Sequence, residues 1–416
     1  MRTFSFHTIA GLLAVGLVFG VNFAQAQAGT LDPKFGTDGT VTTIFTGAGS
    51  PVMMPIGAVQ QASGDIVVLS QFDFVADSGT QIGLTRYTAA GKLDPTFGSK
   101  GSTITHFSSF TFDPFAFALE PNGKILVAGS VSGTDTFGLA QFTANGVLDT
   151  TFGTDGVATA VTGADFPSAF LLQPNGQILM GGFKDGGKKT PGSLSLVRFN
   201  SNGALDPTFG TAGIALVTPA QISGPQALAL LSNGDYLAVG GMSGTVLELS
   251  STGVLLSTVT AGTLTASSPL AGLESSPTIF EPNGDYLVAS LHCEEDSDCG
   301  PTNTKVRLFG ETGVQDSAFS STPFGLGAGG SNTPQALAAQ SNGQVVVGGF
   351  IANASPIFGG ITRLDANGDL DTTFGNGGTV TVDNDVTGLL IDTNGDILAI
   401  EGTGNDGIVL AAYLAN

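Results

Sequence analysis

The chain has 416 residues, of which 41% are apolar, only 11% are charged and 62 are glycine, and its formal net charge is −21. The apolar share is ample for a core, and glycine spread among regular apolar runs signals many tight turns rather than disorder. A surface this acidic repels phosphate backbones and anionic lipid, so nucleic acid and membrane surfaces are excluded as expected partners.

The first 26 residues read as a secretory signal peptide. Arg2 supplies the positive start, Ile9 to Val21 the apolar core, and Ala24-Gln25-Ala26 the small-x-small end. Cleavage is expected after Ala26, with Ala28 as the alternative, leaving a folded region from residue 29 to 416. The apolar run is short for a membrane span, and no Cys follows the cleavage point to carry a lipid anchor. A secreted or periplasmic product, with no membrane insertion of the mature chain, is therefore expected.

From residue 60 onward one phrase recurs seven times: an apolar run, a polar-Gly turn, a second apolar run. The copies include QQASGDIVVLS from Gln60, LEPNGKILVAG from Leu119 and LLSNGDYLAVGG from Leu230. The turn glycines are Gly64, Gly123, Gly176, Gly234, Gly284, Gly343 and Gly395, spaced 59, 53, 58, 50, 59 and 52 residues apart. The β-branched and aromatic runs read as strands, and Asn-Gly as a hairpin turn of type I′, with positive φ at both residues. A third strand follows each hairpin, as in GLTRYTAAG from Gly83 or SLVRFNSNG from Ser195. Next comes LDPTFG or a relative, at Leu31, Leu93, Leu148, Leu205 and Leu370, with a degenerate copy over 314–319. A fourth strand closes the unit, as in STITHF from Ser102.

Four strands, a to d, in seven units spell an all-β, seven-bladed β-propeller of four-stranded antiparallel blades. The region opens on a d element at LDPKFGTDGTVTTIF and finishes on a c strand at IVLAAYLAN. The N-terminal strand is thus expected to complete the last blade and close the ring, removing the open edge. A monomer is expected. The alternation of LDPTFG with QPNGKILVAG and RFNxNGxLD resembles the delta-60 repeat family over essentially residues 29–416. The resemblance implies an exported bacterial propeller and brings no assigned activity.

Most tempting motifs have a scaffold reading. Asp32, Asp94, Asp149, Asp206 and Asp371 occur once per unit at one place in the pattern, so they read as turn residues bonding nearby amides. Phe35, Phe97, Phe152, Phe209 and Phe374 read as wedges between blades, and Arg86, Arg198 and Arg363 as partners of the repeat aspartates. Asp392-Thr-Asn394-Gly-Asp396 and Asp365-Ala-Asn367-Gly-Asp369 open like calcium loops but lack the twelfth-position Glu and the flanking helices. No cofactor is expected, and the one metal these turns would suit is a structural calcium ion. Gly182–Lys189 nearly spells a phosphate loop and Gly325–Gly330 a dinucleotide fingerprint, both without the strand-turn-helix context. No catalytic residue is assigned: past the signal only His106 and His292 remain, and no G-x-S-x-G elbow occurs. Absence of Trp argues against a Trp-lined sugar cleft.

Function is expected on the variable b–c and d–a connections. The candidates are 72–81, 351–358, the basic loop with Lys184, Lys188 and Lys189, and the loop between Cys293 and Cys299. The two cysteines of an exported protein, with five residues between them, read as a disulfide, and Glu294, Glu295, Asp296 and Asp298 lie in that interval. Metal ligation is the alternative, although carboxylates suit calcium and thiolates softer metals. The leading reading is a non-catalytic exported module or envelope scaffold that binds a protein or glycan at the variable face. A carboxylate-dependent polysaccharide hydrolase or lyase and a purely structural surface protein are the alternatives.

Overall fold

Short runs of β-branched and aromatic residues, cut by recurring glycine turns, favour strands over helices. The computed structural model describes residues 27–45, 52–73, 80–131, 136–162, 166–184, 192–218, 225–240, 245–260, 277–281, 284–292, 303–311, 314–319, 321–327, 331–352, 358–402 and 407–416. Among these, all regular structure is strand, and no helix is long and apolar enough to cross a membrane. The signal segment, both cysteines with the four acids between them, Lys188 and Lys189 lie outside the described residues.

The strands sort into seven antiparallel sheets. Blade 1 is β2 (Val52–Gln60), β3 (Ile66–Asp73), β4 (Thr80–Tyr87) and β5 (Ser102–Thr105). Blade 2 is β6 (Phe112–Leu119), β7 (Ile125–Val131), β8 (Thr136–Phe142) and β9 (Val157–Val161). Blade 3 is β10 (Phe166–Leu172), β11 (Ile178–Lys184), β12 (Ser193–Phe199) and β13 (Ile214–Val217). Blade 4 is β14 (Pro225–Leu230), β15 (Tyr236–Gly240), β16 (Thr245–Leu249) and β17 (Leu255–Thr260). Blade 5 has β18 (Thr278–Phe280), β19 (Tyr286–His292) and β20 (Asn303–Phe309). Blade 6 is β21 (Ser331–Ala339), β22 (Val345–Ala352), β23 (Phe358–Leu364) and β24 (Thr379–Val382).

Blade 7 joins the two ends of the chain. β25 (Asp385–Ile391), β26 (Ile397–Gly402) and β27 (Gly407–Tyr413) accept β1 (Thr40–Ile44) as fourth strand, in register from Thr40↔Ala411 to Ile44↔Gly407. The first strands of neighbouring blades touch, including β2 with β25, so the ring is closed. This is the seven-bladed propeller that the repeat spells.

The core lies between blades. One apolar cluster joins Met53, Ile66, Val68 and Tyr87 of blade 1 to Leu398, Ile400, Ile408 and Leu410 of blade 7. Strands β8 and β12 are buried along their whole length, as sheets covered on both faces require.

The a–b turns differ from the type I′ expectation. Gly123 N donates to Glu120 O at 2.8 Å and Glu120 N to Lys124 O at 2.9 Å, with Gly123 at φ +83°. The Asn before each turn glycine keeps negative φ wherever it is described. Pro121 and Pro174 suit the first central position of a type I turn, with negative φ, and the glycine that closes the turn forms the bulge. Type I′ turns occur instead at the entry to the fourth strand. Asp38-Gly39 sits at φ +53° and +91°, and Lys100-Gly101, Asp155-Gly156 and Ala212-Gly213 repeat it.

Two further departures lie in first and fourth strands. In β2, β6, β10, β14 and β21 the register slips just after Pro55, Pro114, Pro167, Pro225 and Pro334. Each is a first strand with a single ladder neighbour, where a missing N–H and a bulge are tolerated. Blade 5 is described with three strands, its fourth reduced to the bridge Thr304–Phe324. The chain there runs Ser-Thr-Pro-Phe-Gly-Leu-Gly over 321–327, without a β-branched run to extend the ladder.

Candidate functional site

The repeat aspartates fold into related scaffold clusters. Asp206 Oδ1 accepts from Thr208 N at 2.9 Å and Thr208 Oγ1 at 2.7 Å, and Oδ2 accepts from Arg198 Nε at 2.8 Å. The Arg198 guanidinium lies 4.8 Å from the centre of the Phe209 ring, and its Nη1 reaches Ser251 O in blade 4. Arg86–Asp94–Phe97 and Arg363–Asp371–Phe374 repeat the arrangement. In blade 2 Gln141 replaces the arginine, and Lys124 of the a–b turn supplies the charge to Asp149 instead. The Lys124 and Thr151 hydrogen bonds hold Asp149 down at about 2. Burial would raise Asp206, but Thr208 and Arg198 outweigh it and hold its carboxyl below the usual range. Asp32 keeps only the turn, accepting from Lys34 N at 3.0 Å.

The phenylalanines are the expected wedges. Phe97 is fully buried between blades 1 and 2, and a Cβ on Gly146 of blade 2 would come within 2.4 Å of its ring. Beside it Gly98 N donates to Asn145 O at 2.9 Å, and Gly36, Gly153 and Gly210 clasp the next blade in the same way. Phe72 and Ile351, placed by the sequence at the start of variable loops, are buried core residues at strand ends. Lys184 ends β11, half-buried, across from Ser193.

With those carboxylates committed to packing, two places remain. The first is a groove of about 840 Å³ along the edge of blade 2. Thr151 and Asp155 line it from the turn into β9, Asn202 from the c–d turn of blade 3, and His106, Phe107 and Phe110 from the link between blades 1 and 2. Phe107 and Phe110 stack at 4.9 Å and 15°. The Phe-rich link thus divides: Phe112 and Phe117 pack in the core, and the stacked pair reaches the groove.

The second is a set of carboxyls where blade 6 passes into blade 7, at the variable end. Glu401 of β26 is 4% exposed, and its Oε2 accepts from Asn384 Nδ2 at 3.0 Å. Burial pushes Glu401 up to about 7 against that hydrogen bond, with help from Asp383. Burial also raises Asp385 against a hydrogen bond from Gln335, and its Oδ1 is buried without a partner. Sequence reasoning passed over Glu401, although an acid closing the apolar run Ile397–Ile400 was a visible signal. Among the described residues no group of three His, Cys, Asp or Glu is placed to hold a metal.

Four blades match a β-propeller repeat family. The model described as "Domain of unknown function (DUF5122) beta-propeller" matches residues 61–97, 120–152, 173–209 and 340–374. These segments contain the four aspartates that pair with Arg or Lys. No curated protein matches the chain. Among solved structures, streptogramin B lyase aligns with a TM-score of 0.52 at 10% identity, over 90% of this chain and 98% of its own. Selenomethionine-substituted virginiamycin B lyase from Staphylococcus aureus aligns at 0.48 and 12%, over 90% and 99%. At such identity the likeness to the first speaks for the propeller fold.

Proposed function

We propose that the chain is an exported, non-catalytic propeller that binds a neutral glycan in the groove of blade 2. The lining carries the reading: hydroxyl, amide, imidazole and carboxylate groups beside a stacked phenylalanine pair. Such a surface offers donors and acceptors for sugar hydroxyls and an apolar face for a ring. Export rests on the charged start, apolar core and Ala-Gln-Ala end of residues 1–26. The test is a glycan array probed with residues 27–416 and with H106A/D155N. Retention of one glycan class, lost at least tenfold in the variant, supports the reading, and an array without retained glycans refutes it.

A second reading, a carboxylate-dependent hydrolase or lyase, is favoured by Glu401. A carboxyl raised to about 7 is poised as a general acid near neutral pH, with Asp385 as its companion. Release of reducing or unsaturated ends from polysaccharide, abolished in E401Q, would establish it over the first.

A further inference from the structure

Blade 5 carries its strand-c arginine one residue early, and a one-residue offset turns a side chain to the opposite face of a strand. In blade 1 Arg86 pairs with Val67, and Asp94 N donates to Arg86 O. In blade 5 the equivalent pair is Leu287↔Leu308, and Asp316 N donates to Leu308 O at 2.8 Å. Leu308 therefore stands in the arginine slot, and Arg307 faces away from Asp316. On that face Phe309 and Tyr286 pack with Leu237, Val239 and Val246 of blade 4.

Arg307 is 8% exposed, and among the described residues its guanidinium makes one hydrogen bond, Nη1 to Ser290 Oγ at 2.8 Å. Lys305 stands two residues earlier on the same face, across from Ser290. Burial lowers both cations, and Arg307 lowers Lys305 further by repulsion. The acid facing them from blade 4, Glu248, accepts from Ser257 Oγ at 2.9 Å and forms no ion pair with either. Arg86, Arg198 and Arg363 each have a carboxylate, whereas Arg307 has none among the described residues. The Tyr286 hydroxyl on this face is also buried without a partner. A buried guanidinium is costly unless an anion pairs with it, and its planar fork matches carboxylate and phosphate.

We propose that Arg307 and Lys305, with Ser290, form a site between blades 4 and 5 for a small oxyanion, carboxylate or phosphate. The site is separate from the groove of blade 2 and does not depend on the glycan reading. The test is calorimetric titration and thermal melting of the full chain with sodium D-glucuronate, with inorganic phosphate, and with sodium chloride at matched ionic strength. A saturable response to glucuronate or phosphate above chloride is expected, and the arm that responds identifies the source. The response should weaken at least tenfold in R307Q and in K305Q, and stay unchanged in K92Q. If R307Q does not fold, K305Q carries the comparison. Equal affinity in wild type and K305Q overturns the proposal, as does the absence of any response above chloride. Response only after Glu248, Glu294 or Glu295 is replaced by Gln also overturns it, because the chain then neutralises the pair itself.

Discussion

Replacing Asp206 by alanine tests whether the repeat aspartate is a scaffold charge. Asp206 is 4% exposed and accepts from Arg198 Nε, Gln177 Nε2, Thr208 N and Thr208 Oγ1, all within 2.9 Å. Alanine leaves the buried Arg198 guanidinium with Tyr236, Thr208 and a blade 4 carbonyl but no counter-charge. Removing one member of a buried ion pair costs about 3–5 kcal/mol. Asp32 holds the same place in the pattern without an arginine, so D32A should cost only about 1 kcal/mol, the worth of one turn hydrogen bond. The double variant R198M/D206A should recover part of the loss, since no charge is then stranded. Urea unfolding of the four proteins reads all three values. A D206A loss within about 0.5 kcal/mol of D32A, a difference too small for a stranded buried charge, would refute the reasoning.

Three other outcomes are expected. Glu401 has its folded pKa raised to about 7, so the folded state holds the extra proton between the unfolded value and 7. Stability should be greatest below the unfolded pKa and fall as pH rises through 7, by up to about 3 kcal/mol; E401Q should flatten that limb in pH-dependent melting. Below about pH 4 the trend reverses, as Asp94, Asp149, Asp206 and Asp371, all held low, lose their partners on protonation. G146A puts a Cβ against Phe97, whereas G395A meets nothing within 4 Å, and both glycines have positive φ. G146A should therefore cost about 1–3 kcal/mol more than G395A in urea unfolding. Removing residues 27–45 uncovers the edge of β27 and should convert a monodisperse peak in size-exclusion chromatography into aggregates.

The blade count and the ring closure were legible because each rests on a local pattern: an apolar pair of runs about a glycine, and a d element without its a, b and c. The Asp–Arg pairs were legible at 86, 198 and 363 from their fixed offset. Lys124 was not, because it reaches Asp149 from the a–b turn rather than from the arginine slot. Asn-Gly alone pointed to type I′, whereas Pro121 and Pro174 fit the first central position of a type I turn, which moves the glycine to the bulge. The one-residue shift of Arg307 needs the ladder register, which the degenerate segment after it hides. Glu401 owes its high pKa to burial at a blade junction, which no spacing in the sequence displays.

Because β1 pairs with β27, the first and last described strands of the chain share one ladder. A chain emerging residue by residue has no template for β1 until β27, residues 407–413, is available, so completion of the ring is a late step. Until β27 is in place the earlier blades form an open arc with an uncovered flank at each end. In the closed ring β1 and β27 hold each other, so peeling either strand away opens the last blade. The shared ladder should thus slow escape from the closed state and make persistence of the fold a kinetic property.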